Sequence, residues 1–219
     1  RSLTQLPPDA CEYGEERKRV SYDEIGRYLF DKGVATDTID NLLESMEELT
    51  VIADWYERKG NNPSEHETRA YLVVPLLRAL GWTPQKVAFE WRASKADNRD
   101  RIDAALFDAL PRSDENLSAA VEVKKKGEAC LTARGQAEGY AEEFGGESCK
   151  RLIVTDGIRY GIYVRQNREF HQHPDAYLNL TRLVDAYPVL QCWGAKEALR
   201  LLAEDWPGEL PEGPRPGST

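Results

Sequence analysis

Three strand-like segments in close succession constrain the fold of this chain more than any other feature. Val87–Trp91, Ile102–Leu110 and Leu117–Lys125 are rich in apolar residues and lie close together in the sequence, which predicts three antiparallel neighbours in a sheet. A helical pattern over Thr132–Phe144 then leads into a further short apolar strand, Arg151–Thr155. A strand–helix–strand step of this kind predicts a parallel crossover. The expected fold is therefore α/β, with a mixed central β-sheet flanked by helices.

Breaker residues divide the rest of the chain. Residues 1–60 are predicted to form an N-terminal arm and a helical segment, and the acidic helix Thr38–Arg58 has an apolar face that can pack on the main domain or on a second subunit. Residues 61–206 are predicted to form the main domain, and the Pro- and Gly-rich residues 207–219 a disordered tail. The remaining predicted elements are a helix over Tyr22–Lys32, a helix that starts at Ser64 and contains Pro75, a hairpin strand over Tyr160–Val164 and a last helix over Ala195–Asp205.

Charge and cysteine content exclude several classes of protein. The net charge is −9, which argues against a protein that coats nucleic acid through bulk charge. No apolar run approaches the roughly 18–20 residues that a membrane span needs. The four cysteines show no short metal-binding spacing. We therefore expect reduced thiols and a cytoplasmic location.

Two acidic residues lie inside apolar strand segments, where an ionised carboxylate is costly unless it is paired or binds a cation. They are Asp103, in R-I-D-A-A-L-F, and Glu122, in A-A-V-E-V-K. Strand alternation places Glu122 and Lys124 on one face, so the three side chains converge if the two strands are neighbours. Two carboxylates and an ammonium suit a hard divalent cation and a positioned water. The alternative is an exposed strand end with an ordinary surface ion pair.

The spacing of these residues resembles the PD-(D/E)xK nuclease superfamily. Asp103 is followed nineteen residues on by Glu122-x-Lys124, and the next helix carries Gln136-x-x-x-Tyr140. The second pattern is similar to the Q-x-x-x-Y motif of RecB-like nucleases and of the nuclease domain in type I restriction R subunits.

An upstream helix extends the resemblance. Glu67 precedes V-V-P-L-L-R-A-L-G-W, which is similar to the opening helix of the N-terminal nuclease domain of type I restriction R subunits, and that domain is the most similar overall. The similarity covers about residues 64–165. One departure is Ile102, which stands where the superfamily signature has proline.

This resemblance implies a restriction-endonuclease-like core of order αβββαβ and a Mg²⁺ cofactor, for which Mn²⁺ can substitute. Asp103, Glu122 and the backbone carbonyl of Val123 would bind the metal, and Lys124 would position or activate the water. Glu67 would be a supporting acid, although it also fits the acidic position of a capping box after Ser64.

The substrate would meet residues beyond the metal site. The resemblance implies that Gln136 points toward the site or the DNA backbone and that Tyr140 braces it; the alternative is a surface pair on the helix. Basic residues slightly outnumber acidic ones between residues 86 and 134, ten to nine, which predicts phosphate contacts there. The predicted substrate-binding residues are Gln136, Tyr140, Lys125, Lys126, Arg99 and Arg101.

The implied activity is hydrolysis of a phosphodiester in DNA, leaving a 5′-phosphate and a 3′-hydroxyl, by an endonuclease of a restriction or defence system. The expected partners are DNA and a homodimer mate or a partner subunit. Two alternatives stay open at this point. One is a nuclease for RNA or for a particular nucleic-acid structure, and the other is a catalytically silent binding or assembly subunit with the same fold.

Overall fold

The apolar segments of the sequence form neighbouring strands in one half of a mixed β-sheet. The computed structural model describes residues 17–92, 101–128 and 130–217. Within these ranges the strands are β1 (Val87–Trp91), β2 (Ile102–Phe107), β3 (Leu117–Val123), β4 (Arg151–Thr155), β5 (Arg159–Gln166), β6 (Glu169–Phe170), β7 (Ala176–Asn179), β8 (Ala186–Tyr187) and β9 (Cys192–Trp193). Their order is β1-β2-β3-β4-β5-β7-β9-β8, and β6 pairs with β5.

Strand directions follow the prediction. β1, β2 and β3 are antiparallel neighbours, β4 runs parallel to β3, and β5 returns antiparallel to β4. The prediction of a mixed α/β fold is therefore confirmed. β2 ends at Phe107 rather than Leu110, after a register shift between Leu106 and Phe107.

The helical segments match the predicted ones closely, and Pro75 does not end its helix. Pro75 lacks an N–H, and its ring would crowd the carbonyl of Tyr71. A π-helical segment, Arg69–Val73, ends two residues before Pro75 and widens the backbone there. No helix among the described residues is long and apolar enough to cross a bilayer. The α-helices are α1 (Tyr22–Asp31), α2 (Thr36–Glu57), α3 (Glu65–Thr68), α4 (Val74–Ala79), α5 (Arg134–Tyr140) and α6 (Ala195–Leu202).

Helices cover both faces of the sheet. Met46 of α2 and Leu199 of α6 are fully buried in the same apolar cluster as Val121 of β3. On the other face, Ala137 of α5 packs in a cluster with Ala120 of β3. The acidic helical segment near the N-terminus therefore packs on the sheet of its own chain. The division of the chain into separate domains stays a prediction.

A buried arginine ties the C-terminal residues to the sheet. The Arg151 side chain is 1% exposed, and its Nη1 donates to the carbonyls of Leu201 and Ala203, both at 2.9 Å. Its guanidinium lies 5.3 Å from the ring centre of Trp82 and 4.8 Å from that of Trp206. Beyond Trp206, the described part of the predicted tail contacts the body through the ion pairs Glu212–Lys32 and Arg215–Asp175.

Candidate active site

The two strand carboxylates lie together at one end of β2 and β3. Ala104 pairs with Val121 in the antiparallel ladder, so Asp103, one residue before, lies beside Glu122, one residue after. Oδ2 of Asp103 accepts a hydrogen bond from the backbone N–H of Val123 at 2.8 Å. The Glu122 side chain is only 4% exposed. The predicted convergence of these carboxylates is therefore present in the structure.

Lys124 connects this pair to helix α5. Its Nζ donates to Oε1 of Glu122 at 2.7 Å and to Oε1 of Gln136 at 3.0 Å. Nε2 of Gln136 in turn donates to the hydroxyl of Tyr140 at 3.0 Å, as expected for side chains one helical turn apart. The backbone N–H of Lys124 donates to the backbone carbonyl of Thr155 in β4 at 2.7 Å, which holds the end of β3 in place. Four of the predicted residues thus form one continuous network.

The electrostatics of this network are set by burial and by repulsion between neighbouring carboxylates. Burial, together with the charges of Asp103 and Glu65, raises the pKa of Glu122 to about 7, although the hydrogen bond and charge of Lys124 act in the opposite direction. Burial acts to lower the pKa of Lys124, but the hydrogen bond and charge of Glu122 outweigh it, and the pKa is raised. Burial and repulsion between the carboxylates therefore outweigh Lys124 at Glu122, and a further cation would stabilise its ionised form.

Helix α3 brings the charge of Glu65 close enough to act on Glu122 and Asp103, and Glu67 takes part in a capping box. Oε2 of Glu67 accepts from the backbone N–H of Ser64 at 2.7 Å, and Oγ of Ser64 accepts from the N–H of Glu67, so the predicted capping box is present. Glu67 is exposed. Glu65 is partly buried, and burial followed by the charge of Asp103 raises its pKa. The capping box was the signal for this difference, because its acid turns back toward the cap.

The turn between β4 and β5 fixes the position of α3. Gly157 has a φ of +89°, and a Cβ added there would lie 2.6 Å from Cβ of Thr68, the last residue of α3. Thr68 is fully buried. The close approach of these two backbones requires glycine at this position, and it sets where Glu65, three residues before Thr68, meets the strand carboxylates.

The predicted phosphate-binding cations lie in different surroundings. Lys126 donates through Nζ to the carbonyls of Tyr56, at 2.5 Å, and Asn61, at 2.9 Å, so it joins its loop to the end of α2. Arg101 pairs with Glu90 at 2.7 Å on the exposed edge of the sheet. Lys125 is exposed next to Lys124. Arg99 lies outside the described residues.

The donor set fits a magnesium ion. Mg²⁺ prefers oxygen ligands and takes one or two carboxylates together with waters and substrate phosphate. Oδ1 of Asp103 and Oε2 of Glu122 accept no hydrogen bond from any described residue, so each carboxylate keeps a donor atom. In the described part of the chain, no three His, Cys, Asp or Glu side chains already surround one point as a metal site. The protein would therefore supply two carboxylates, with the backbone of Val123 beside them.

Comparison with known proteins finds one similar solved structure. The sequence matches no protein-family model and no curated protein. One solved structure is similar, a fragment ascribed to the HsdR subunit of a type I restriction enzyme from Vibrio vulnificus YJ016, with a TM-score of 0.41 and 20% identity. The match covers 50% of this chain and 22% of the other. A TM-score of this size is too low to support either fold or function.

Proposed function

We propose that this chain is a Mg²⁺-dependent endonuclease that hydrolyses phosphodiester bonds in DNA. One observation carries the proposal: the buried Glu122, the partly buried Asp103 and the ammonium of Lys124 converge at the ends of neighbouring strands, and each carboxylate keeps an oxygen that accepts no hydrogen bond from a described residue. Buried charges that serve only stability are normally paired within the protein. Carboxylate oxygens left open beside an ammonium favour a site that meets a cation and an anionic substrate.

Each side chain of the network has a chemical role in this proposal. A lysine ammonium has three donors, and two of those on Lys124 are directed at Glu122 and Gln136. The third is left to orient the attacking water or to stabilise charge on the phosphate oxygens. Gln136, held by Tyr140, keeps the ammonium at this position. Glu65 adds negative charge beside Asp103 and strengthens the attraction for a cation.

Asp103 and Glu122 would hold the magnesium ion, with the carbonyl of Val123 as a further ligand. A bound divalent cation would polarise the phosphate and lower the pKa of a bound water. Attack on phosphorus by the water that Lys124 orients would form a new P–O bond, break the bond to the 3′-oxygen and release the proton of that water to solvent. That oxygen takes up a proton, leaving a 3′-hydroxyl and a 5′-phosphate.

DNA as substrate, and a role in restriction or defence, rest on the resemblance of the sequence motifs to type I restriction nuclease domains. The exposed Lys125, beside the cluster, suits a contact to the phosphate backbone. Partner subunits of a restriction system are part of the same proposal.

A cleavage assay tests the proposal. Supercoiled plasmid is incubated with the purified chain and Mg²⁺, Mn²⁺ or EDTA, and nicking is followed on gels. We expect metal-dependent nicking that falls at least about a thousandfold in Asp103→Asn, equivalent to about 4 kcal/mol of transition-state stabilisation. The matched control is Asp108→Asn, which changes an exposed carboxylate a short distance along the chain.

Three results would decide against the proposal or narrow it. Equal nicking by the wild type and Asp103→Asn would show that the site is assigned wrongly. Cleavage of RNA or of branched DNA in preference to duplex DNA would replace the proposed substrate. Absence of cleavage on all of these substrates, with the fold intact, would favour a silent binding subunit.

A further inference from the structure

Helix α2 presents an acidic face to solvent. Its 22 residues include seven carboxylates and no lysine, arginine or histidine. Glu57 pairs with Arg159 at 2.7 Å. The other six carboxylates are exposed, and none forms an ion pair with a described residue: they are Asp37, Asp40, Glu44, Glu47, Glu48 and Asp54. Spacings of three, four and seven residues place them along one side of the helix, so this face holds a strong negative field.

An apolar pocket lies on the same face, near the C-terminal end of α2. The side chains of Val51, Trp55 and Tyr71 are 69%, 52% and 56% exposed, and with Ile52 and Tyr56 they line a shallow cavity of about 380 Å³. Exposed aromatic side chains grouped in this way are uncommon on a surface without a partner. The pocket and the carboxylates adjoin, because Val51 lies four residues after Glu47.

The pocket is held in place before anything binds. The ring centres of Trp55 and Tyr56 are 5.1 Å apart in a tilted arrangement. The carbonyl of Trp55 accepts from Nδ2 of Asn61 at 2.5 Å, and that of Tyr56 accepts from Nζ of Lys126. A preformed pocket has less conformational freedom to lose on binding, which favours affinity.

From the pocket and the charge beside it, we infer that this face of α2, from Asp37 to Trp55, docks a segment of another protein that carries an apolar anchor and several basic residues. The anchor fills the pocket against Trp55, and the basic residues lie along the carboxylates toward the start of α2. Tryptophan at the centre of an interface typically carries much of the binding free energy. Opposite charges along the helix speed association and fix the direction of the partner.

Other occupants fit this face poorly. Nucleic acid would bring phosphates against six carboxylates, and Arg58 and Lys59 beyond the helix end are the exposed cations nearest in sequence. A second copy of this chain, docked through the same patch in a two-fold dimer, would set one acidic helix against another. The inference does not rest on the proposed hydrolysis, since none of these residues belongs to the metal site.

Fluorescence anisotropy with a synthetic peptide tests the docking surface. The probe is a fluorescein-labelled leucine–lysine peptide that forms an amphipathic helix, titrated with the whole chain. We expect saturable binding that weakens at least about tenfold in the double variant Val51→Ser, Trp55→Ser. The control variant is Phe30→Ser, which removes a side chain 65% exposed on helix α1 and should leave binding unchanged.

A second pair of variants tests the charges. Neutralising Glu44, Glu47 and Glu48 to glutamine should weaken binding at least about fivefold and reduce its dependence on salt. The same change in net charge at exposed positions elsewhere, Asp108→Asn, Glu169→Gln and Glu209→Gln, should have little effect.

Four outcomes would overturn the inference. Binding that survives loss of Val51 and Trp55 would place the peptide elsewhere. A leucine–glutamate peptide that binds equally well would remove the role of charge. A duplex oligonucleotide that displaces the peptide would indicate a nucleic-acid surface. A dimer of the wild type that dissociates in Trp55→Ser, as measured by sedimentation, would identify a second copy of the chain as the occupant.

Discussion

Two carboxylate clusters near the same end of the sheet differ in how fully protein donors occupy the oxygens of their aspartates. Asp156, fully buried, accepts through Oδ1 from the N–H groups of Ile158 and Arg159 and pairs through Oδ2 with the guanidinium of Arg159, which also pairs with Glu57. At the other cluster, Asp103 and Glu122 each keep an oxygen without a hydrogen bond from a described residue. Each cluster sets two carboxylates beside one cation, so the difference is that both oxygens of Asp156 have protein donors, whereas Asp103 and Glu122 each keep an oxygen for a ligand.

The largest effect on stability is expected at Asp156, where both carboxylate oxygens have protein donors. Arg159→Met leaves Asp156 and Glu57 without their shared partner, and breaking a buried ion pair in this way costs about 3–5 kcal/mol of unfolding free energy. Urea denaturation followed by circular dichroism measures the change. Arg168→Met, in an exposed pair with Glu147, is the control and should cost less than about 1 kcal/mol. Equal losses in the two variants would show that the first cluster does not stabilise the fold.

At the cluster of Asp103 and Glu122, removing a charge should leave the unfolding free energy unchanged or raise it. Glu122→Gln removes a buried negative charge whose pKa is raised mainly by burial. We expect cleavage to be lost while the urea midpoint stays unchanged or rises, since a neutral amide is easier to bury than an incompletely paired carboxylate. A stability loss like that of Arg159→Met would mean that Glu122 is itself a structural ion-pair residue.

Gly157 follows Asp156 and lies against Thr68 of helix α3, so it connects the two clusters. Gly157→Ala would force an alanine into positive φ and push its Cβ against Thr68, with an expected cost of about 1–3 kcal/mol. Since α3 must move to relieve the contact, cleavage should fall as well. Gly127→Ala, also at positive φ but with open space around it, is the control and should lose stability without a comparable loss of cleavage. Full activity in Gly157→Ala would separate the turn from the site.

The smallest effect separates the two acids of helix α3. Glu65→Gln should lower the cleavage rate about tenfold, equivalent to about 1.4 kcal/mol, because it removes charge beside Asp103. Glu67→Gln keeps the capping box, which accepts glutamine, and should cleave at the wild-type rate. Cleavage rates of both variants are measured at saturating Mg²⁺. A Glu67→Gln protein that cleaves more slowly than Glu65→Gln would contradict this prediction.

Sequence patterns predict the part of the fold that is apolar and bounded by breakers. β1 and β4 match their predicted bounds because both are short segments rich in apolar residues, and the Asp156-Gly157 turn ends the second. The two-residue strands β6, β8 and β9 are too short to show a period of two and were not predicted. Arg151 illustrates the other limit, since its burial depends on Trp82 and Trp206, which are distant in sequence.

The candidate site shows the same division between local and tertiary information. The convergence of Asp103, Glu122 and Lys124 follows from strand alternation and neighbouring strands, both of which are readable in the sequence. The contribution of Glu65 depends on the contact between Gly157 and Thr68, which brings a helix and a turn together across a long separation in sequence. The catalytic roles of these residues stay predictions until cleavage is measured.

Crystals soaked in Mn²⁺ and measured at the manganese absorption edge test the central claim most directly. The open oxygens of Asp103 and Glu122 should bind the ion, giving an anomalous difference peak in contact with both residues, and no peak at this position in Asp103→Asn crystals. A fully soaked wild-type crystal without a peak there, or with its strongest peak at Asp156, would contradict the account.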